Sequence, residues 1–385
     1  MSFEFLNPVE DTAIAHVALL PNLSLGKNIE IHSKQNGLPE LEGAHIAIIG
    51  VLDGRRSEDN LGTGTNYSII RKYLYQLFPG NWFSKIVDLG NIPQGKEEED
   101  TYFVLQEIIT YLVKNNIIPI IIGGGQDLTY ANYRAYDQLE QSVNLTVVDT
   151  KFDIGTIEEE MSSTSYLSKI VMEKPSNLFN YSNIGYQTYF NSQEEIDLLE
   201  KLYFDIYRLG EVAHDVKLVE PILRDADVVS IDIGAVRRTE APANNNAVPN
   251  GFYGEEICAI SRYAGISDKV SSFGIYEYNA KLDEKDQTAH LIAQMIWYFI
   301  EGYNFRINEY PFTSKTAYKK YIVPIDDTII NFFKSNNSDR WWMEVEHPNN
   351  KTTKHTLIPC TYQDYLRAGN QVIPERWWKT FRKLN

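Results

Sequence analysis

Acidic and amide side chains follow several short apolar runs of this chain, where they could share one chemical task. Gln126 follows one run, Asp149 and Asp153 follow the next, Asp232 lies at the end of a third, and Glu277 follows a fourth. Oxygen donors of this kind suit magnesium, manganese or calcium. A single aspartate at the end of a strand is more often a turn or cap residue. Because acidic or amide residues stand at the ends of four separate apolar runs, we expect these residues to line one common crevice.

The segments around these residues predict a parallel sheet with crossover helices, because short apolar runs alternate with amphipathic stretches. The predicted strands cover residues 45–52, 86–89, 117–122, 145–148, 183–186, 204–208, 228–231 and 272–276. Helical periodicity is clearest over residues 67–78, 101–115, 128–141, 194–202, 254–263 and 286–303. Ligands of open parallel sheets bind beyond the carboxyl ends of the strands. The acidic residues follow the predicted strands at that end.

This alternation predicts an α/β domain over residues 44–303, with an eight-stranded, mostly parallel sheet and helices on both faces. Residues 1–43 are interpreted as an N-terminal addition, and residues 304–385 as an aromatic-rich C-terminal extension packed on or beside the domain. The extension holds four of the six tryptophans, namely Trp341, Trp342, Trp377 and Trp378. Such rings either pack onto a parent domain or form a protein-binding surface.

Composition limits the classes of partner and compartment. The 385 residues carry a formal net charge of -16, which opposes phosphate backbones and anionic membrane surfaces. Cys258 and Cys360 lie outside any CxxC pattern, so they indicate neither a disulfide framework nor a thiolate metal site. Since no apolar run approaches about 18 residues, we predict no membrane insertion and a cytoplasmic protein.

Other kinds of site are less well supported. The segment Gly123–Leu128 does not complete the GxGxxG pattern of dinucleotide binding. No Walker lysine follows the glycines of residues 62–66, and the chain contains no GxSxG nucleophile elbow. The seven histidines do not cluster in sequence.

The acidic segments resemble the metal-ligand motifs of the arginase or ureohydrolase superfamily, and the resemblance covers roughly residues 45 to 303. In that superfamily three motifs read Gly-Gly-Asp-His-Ser, Asp-Ala-His-x-Asp and Ser-x-Asp-x-Asp, and a glutamate follows the eighth strand. The matching segments here are Gly123 to Asp127, Asp149 to Asp153 and Ser230 to Gly234, followed by Glu277. The aromatic C-terminal tail is similar to that of the formimidoylglutamase-like branch. The resemblance implies a three-layer arginase-like fold.

The resemblance also implies six metal-ligand positions, three of which have changed type. They are Gln126, Asp149, Lys151, Asp153, Asp232 and Gly234. Relatives with two manganese ions have histidines where Gln126 and Lys151 stand and an aspartate where Gly234 stands. Glycine offers no donor, and a protonated lysine repels a cation. We therefore expect no cofactor, with Lys151 and Arg237 neutralising the remaining carboxylates.

Two functions follow from these motifs. The main prediction is a non-catalytic protein with a dismantled metal centre, acting as a protein-binding, assembly or regulatory subunit through Trp377, Trp378, Arg376 and Lys379. The alternative is a formimidoylglutamase-like or other ureohydrolase-type C–N hydrolase of linear amidines. Its single Mn or Mg ion would lie at Asp149, Asp153 and Asp232, with the amide oxygen of Gln126 as a further ligand. Glu277 would pair with the amidine. The resemblance further implies a homo-oligomer.

Overall fold

The computed structural model describes residues 2–139, 141–156, 160–309, 315–349 and 352–385. Within these ranges the strands are β1 (Glu30–Ile31), β2 (Ile46–Leu52), β3 (Ile86–Pro93), β4 (Ile118–Ile122), β5 (Val143–Val148), β6 (Leu178–Tyr186), β7 (Asp205–Arg208), β8 (Val228–Asp232), β9 (Ser272–Tyr276), β10 (Tyr318–Ile325), β11 (Thr328–Ser335), β12 (Trp341–Asn349) and β13 (Thr352–Cys360). The α helices are α1 (Asp11–Leu19), α2 (Leu25–Asn28), α3 (Ser68–Gln76), α4 (Glu98–Lys114), α5 (Leu128–Arg134), α6 (Tyr166–Met172), α7 (Gln193–Lys201), α8 (Leu209–His214), α9 (Glu220–Arg224), α10 (Gly254–Ile266), α11 (Gln287–Asn304), α12 (Tyr362–Gly369) and α13 (Glu375–Leu384).

The main sheet has nine strands in the order β1-β3-β2-β4-β9-β8-β5-β6-β7. Every pairing described in this sheet is parallel. All eight predicted strands are present, but the predicted strand number is wrong. The ninth strand is β1, which comes from the N-terminal segment and pairs with β3 at the edge. Two residues are too few to produce a periodicity that sequence reading could detect.

Apolar residues cover both faces of the main sheet, because alternate residues of each strand point to opposite sides. Ile46 and Ile48 of β2 belong to one buried cluster, together with residues of α3, α10 and α11. Ala47 and Ile49 of the same strand belong to a second cluster, with residues of α4, α5 and α6. Full burial of one such aliphatic side chain is worth about 1.5–3 kcal/mol. The two layers of helices thus hold the strand ends in fixed positions.

Helices α10 and α11 cross very closely because each contributes a glycine to their contact. A Cβ atom on Gly265 would lie 2.1 Å from the carbonyl oxygen of Phe299. One on Gly302 would lie 2.4 Å from the carbonyl oxygen of Arg262. Any larger residue at either position must therefore push the two backbones apart.

The C-terminal segment forms a separate antiparallel sheet, in the order β10-β11-β12-β13, with α12 and α13 packed against it. We call residues 318–385 the C-terminal module. It has its own buried cluster, which includes Trp341, Met343, Ile358 and Trp377. A C-terminal extension was predicted here, but none of its strands was predicted.

Cys258 and Cys360 are buried free cysteines, and no disulfide was predicted between them.

Arg224 of α9 connects the main body to the C-terminal module. Its guanidinium donates to the carbonyl oxygens of Trp341, at 3.1 Å, and Cys360, at 3.2 Å. The same group lies over the ring of Trp342, 4.5 Å from the ring centroid. Arg376 of α13 adds an ion pair to Asp225, at 3.3 Å.

In the described parts of the chain, no helix combines the length and apolar character needed to cross a membrane.

Candidate metal and catalytic site

The four strands that precede the predicted site residues, β4, β9, β8 and β5, are direct neighbours at the centre of the main sheet. Their carboxyl ends therefore open onto one crevice. The loop after β4 is bonded to β9, since Gly123 N–H donates to Ile275 O and Glu277 N–H donates to Gly124 O, both at 2.8 Å. Gly124 is required here, because a Cβ atom would lie only 1.6 Å from the carbonyl oxygen of Asp53.

Asp149 and Asp153 bring two buried carboxyl groups into the crevice. Asp149 Oδ1 accepts the Lys151 backbone N–H at 3.0 Å. Within the described residues, the Oδ2 atoms of Asp149 and Asp153 are buried and accept no hydrogen bond from any third residue, and the two carboxyl groups interact with each other. Buried polar atoms without partners are costly and uncommon in native proteins. These two oxygens are therefore available to a ligand.

Burial is the main cause that raises the pKa of each of the three aspartates, Asp149, Asp153 and Asp232. The charge of Asp149 raises the pKa values of Asp153 and Asp232 further. Lys151 acts in the opposite direction and lowers all three pKa values, as a smaller cause than burial. Since burial outweighs the nearby lysine, the carboxylates lack a sufficient counter-charge from the chain itself.

Asp232 is held by the loop that follows β8. Its Oδ1 accepts the backbone N–H of Gly234 at 2.7 Å and the side-chain amide of Asn244 at 3.2 Å. Asn244 is completely buried. Asp232 is thus oriented from two sides by N–H donors.

Glu277 is buried near Asp232, whose pKa its charge raises, and is fixed by three donors. Its Oε1 accepts from the Ser57 hydroxyl and the Gln126 backbone N–H, and its Oε2 accepts from the Asn60 amide, all at 2.9 Å. Its backbone has φ 67°, in the left-handed region that non-glycine residues seldom adopt. Burial raises the pKa of Glu277, while the hydrogen bonds from Asn60, Gln126 and Ser57 lower it.

Gln126 also lies in the crevice, where its side-chain amide nitrogen is 3.5 Å from Ser230 Oγ. Its neighbour Asp127 accepts a 2.7 Å hydrogen bond from the Tyr102 hydroxyl. Burial raises the pKa of Asp127 to about 7. No separate role was predicted for Asp127.

The predicted neutralising cations do not pair with the aspartates. In the described part of the chain, Lys151 makes no side-chain ion pair, and its influence on the aspartates is a longer-range charge effect. Arg237 lies over the ring of Tyr253, 3.2 Å from the centroid, and donates to the Gly251 carbonyl at 3.0 Å. Neither residue thus forms an ion pair with the aspartates within the described residues, and Lys151 acts on them as a nearby positive charge.

Most of the predicted partner-contact residues are engaged inside the chain. Trp377 is 5% exposed, and its indole N–H donates to Glu344 O at 2.7 Å. Arg376 donates to Pro359 O at 2.6 Å, and Lys379 donates to Phe204 O at 3.0 Å. Trp378 is the exposed member of this set, at 45%. Trp377, Arg376 and Lys379 thus dock α13 onto its surroundings through hydrogen bonds to carbonyl oxygens of other segments.

Sequence reasoning missed Ser57, Asn60 and Asn244, which orient Glu277 and Asp232. Ser57 and Asn60 lie in the loop after β2, far from Glu277 in sequence. A run of three asparagines, residues 244–246, was the available signal for Asn244, because amide side chains in a loop beside a site can orient carboxylates.

The chain belongs to the arginase family, whose model matches residues 44–301. The formimidoylglutamase of Staphylococcus aureus strain MSSA476 is 26% identical over 231 residues, which cover 57% of this chain and 73% of that protein. Its name and the family membership support a hydrolase.

Solved structures share the fold at low sequence identity. The formimidoylglutamase of Bacillus subtilis has a TM-score of 0.65 and 18% identity, and covers 74% of this chain and 92% of its own. The formiminoglutamase of Trypanosoma cruzi with Mn²⁺ has a TM-score of 0.64 and 18% identity, and covers 74% of this chain and 99% of its own. The arginase of Bacillus caldovelox has a TM-score of 0.55 and 19% identity, and the match covers 67% of this chain and 98% of the arginase chain.

These relatives correct two predictions. The prediction of a non-catalytic, protein-binding subunit is contradicted, because the relatives carry the names of enzymes. The expectation that no cofactor is required is contradicted as well, since the Trypanosoma cruzi formiminoglutamase was solved with Mn²⁺. The predicted superfamily and the three-layer α/β fold are confirmed.

Proposed function

We propose that this chain is a hydrolase that cleaves a C–N bond of a linear amidine of the formimidoyl type, with a divalent metal ion in the crevice. The observation that carries this proposal is the pair of buried oxygens on Asp149 and Asp153 that accept no hydrogen bond from any other described residue, close enough to Asp232 and Glu277 for the charges of these acids to affect one another. The names of the relatives provide the substrate class.

The residues at one of the family's metal positions suit such an ion. Asp149, Asp153 and Asp232 offer carboxylate oxygens, and Gln126 can offer an amide oxygen, which are donors that manganese or magnesium accepts. A cation would also relieve the unfavourable burial of these acids. When bound, such an ion polarises the substrate and lowers the pKa of a water molecule. The second metal position of the family has Lys151 and Gly234 in place of donors, so a second ion does not fit there.

Glu277 supplies the substrate contact in this proposal. Three hydrogen bonds fix the direction of its carboxylate, and because Oε1 already accepts two donors, the remaining lone pair of Oε2 is the one that would accept an N–H of a planar amidinium. Ser57 and Asn60 act as positioning residues, because they touch Glu277 from a loop on the other side of the crevice. The unfavourable φ of Glu277 fits a functional constraint at this position.

Metal analysis combined with product detection tests the proposal. Protein loaded with Mn²⁺ or Mg²⁺ and then desalted should retain metal and release ammonia or formamide from N-formimidoyl-glutamate. Asp149→Asn should lose the metal and lower kcat/KM by at least about 100-fold, since it removes a ligand. Asp197→Asn, an exposed exchange on α7, is the matched control and should change neither measurement. Metal-loaded protein without C–N cleavage of formimidoyl, guanidino or ureido compounds would contradict the proposal.

A further inference from the structure

Gly234 leaves a gap at the crevice that another loop has filled. A Cβ atom on Gly234 would lie 3.0 Å from Asn244 Nδ2 and 3.1 Å from Asp232 Oδ1. The family resemblance implies a second carboxylate ligand at this position. An uncharged amide from the following loop thus occupies the space in which that carboxylate would begin.

The orientation of the Asn244 amide is set by its other hydrogen bond. Asn244 Oδ1 accepts the backbone N–H of Asn246 at 2.7 Å, so the amide nitrogen must point the opposite way, toward Asp232. It donates to Asp232 Oδ1 at 3.2 Å, while the Gly234 N–H donates to the same oxygen at 2.7 Å. A carboxylate oxygen has two lone pairs, and these two donors engage both. Asp232 Oδ1 therefore has none left for a cation.

The loop that carries Asn244 is fixed by its own contacts. The Asn245 side chain donates to Asp59 O at 2.7 Å, and the Asn246 side chain donates to Glu58 O at 3.0 Å. On the other side, the Ala243 N–H donates to the Thr288 hydroxyl at 3.0 Å. Since the loop is held from both directions, Asn244 remains beside Asp232.

We propose that Asn244 takes the place of the second metal ion, so that the crevice binds a single divalent cation while the amide orients Asp232. This inference rests on the proposed metal-dependent function and specifies its metal content. Asn244 is a positioning residue in this arrangement, because it acts on Asp232 and offers no charge of its own. Lys151 supports the same conclusion, since its positive charge opposes a cation at the second position.

Manganese stoichiometry and electron paramagnetic resonance test the inference on the full-length chain. Wild-type protein should bind one Mn²⁺ per chain and give the spectrum of an isolated ion. Because Lys151 also opposes a second ion, Asn244→Asp is combined with Lys151→His. This double variant places a carboxylate beside Asp232 and should raise the stoichiometry to two, with a spin-coupled spectrum, whereas Lys151→His alone should stay at one. Asn245→Asp makes the same chemical change on the next residue, whose side chain bonds Asp59 O, and should stay at one.

Each outcome has a distinct meaning. Two coupled ions in the wild type would overturn the inference and leave the proposed hydrolase intact. No ion in the wild type would overturn the proposed metal-dependent function together with this inference. A stoichiometry of one in the folded Asn244→Asp, Lys151→His double variant, or of two in Lys151→His alone, would show that Asn244 does not take the place of the second ion. The wild-type measurement needs no variant, so it decides the number of ions even where a variant fails to fold.

Discussion

At the scale of single residues, the predicted match of the crevice to the family's ligand motifs implies linked exchanges. Gly234 removes a carboxylate and opens a gap, and Asn244 fills that gap with a hydrogen-bond donor. Lys151 adds a positive charge that lowers the pKa values of the three aspartates without forming a described ion pair. The negative charge lost at Gly234 and the positive charge gained at Lys151 both reduce the number of bound cations needed to neutralise the crevice.

Asp227 provides a pH-dependent prediction away from the crevice, at the amino end of β8. Burial raises its pKa from the ordinary 3.8 to about 6, despite the opposing charge of Lys269. Between these values the native state holds a proton that the unfolded chain has lost, so stability falls as the pH rises. Asn cannot ionise. From about pH 4 to about pH 7, the free energy of unfolding of Asp227→Asn should therefore rise relative to wild type by about 2 kcal/mol.

Urea unfolding at both pH values measures this difference. The ion pair with Lys269 forms only when Asp227 ionises, so its effect is already contained in the raised pKa, and the change with pH reports the carboxyl group together with that pairing. Asp197→Asn on the surface of α7 gives the baseline for removal of an exposed acid. If the free energy of unfolding changed equally with pH in wild type and in Asp227→Asn, burial would not raise the pKa of Asp227.

At the scale of elements, α10 and α11 approach each other closely and pack over one face of the main sheet. Gly265 and Gly302 allow the two backbones to approach, since neither has a side chain to separate them. This packing supports β8 and β9, which carry Asp232 and Glu277. The geometry of the crevice thus depends on two glycines that lie outside it.

Gly302→Ala tests this helix contact. The added Cβ atom would lie 2.4 Å from the Arg262 carbonyl oxygen, so the helices must separate and the free energy of unfolding should fall by about 1–3 kcal/mol. Gly210→Ala is the matched control, because nothing lies within 4 Å of its Cβ position in α8. It should be neutral or stabilising by up to about 1 kcal/mol, owing to the better helix propensity of alanine. Equal midpoints of thermal unfolding for the two variants would contradict the packing argument.

At the scale of the whole molecule, the chain combines two sheets of different type through a small set of polar contacts. Arg224 satisfies two carbonyl oxygens of the C-terminal module and lies over Trp342. Burial lowers the pKa of Arg224, and the charge of Glu220 raises it. Because its partners belong to both parts, this arginine couples their stabilities.

Arg224→Met should uncouple the two parts during unfolding. Four of the six tryptophans lie in the C-terminal module, so fluorescence mainly reports that module, whereas far-ultraviolet circular dichroism reports the whole chain. Wild type should give coincident transitions, and Arg224→Met should lower the fluorescence midpoint first, because carbonyl oxygens are left buried without donors. Arg238→Met, an exposed exchange, should keep the transitions coincident. Coincident transitions in Arg224→Met would argue against this coupling.

The sequence predicted the strands of the main sheet better than it predicted the side-chain contacts around the crevice. Buried parallel strands are continuous apolar runs, so all eight longer strands of the main sheet could be read, and the acids after them could be assigned to one edge. The two-residue β1 and the mixed polar strands β10 to β13 carry no comparable signal. Ser57, Asn60 and Asn244 could not be assigned to their carboxylates, because those contacts join loops that are distant in sequence.

The position of β9 between β4 and β8 has a consequence for biosynthesis. The two halves of the main sheet, from β1 to β4 and from β5 to β8, are complete before the ribosome produces residues 272–276. Until then each half exposes an unpaired strand edge, which is an opportunity for wrong association. We expect the nascent chain to depend most on chaperones during that interval, and the insertion of one five-residue strand to close the sheet and deliver Glu277 together.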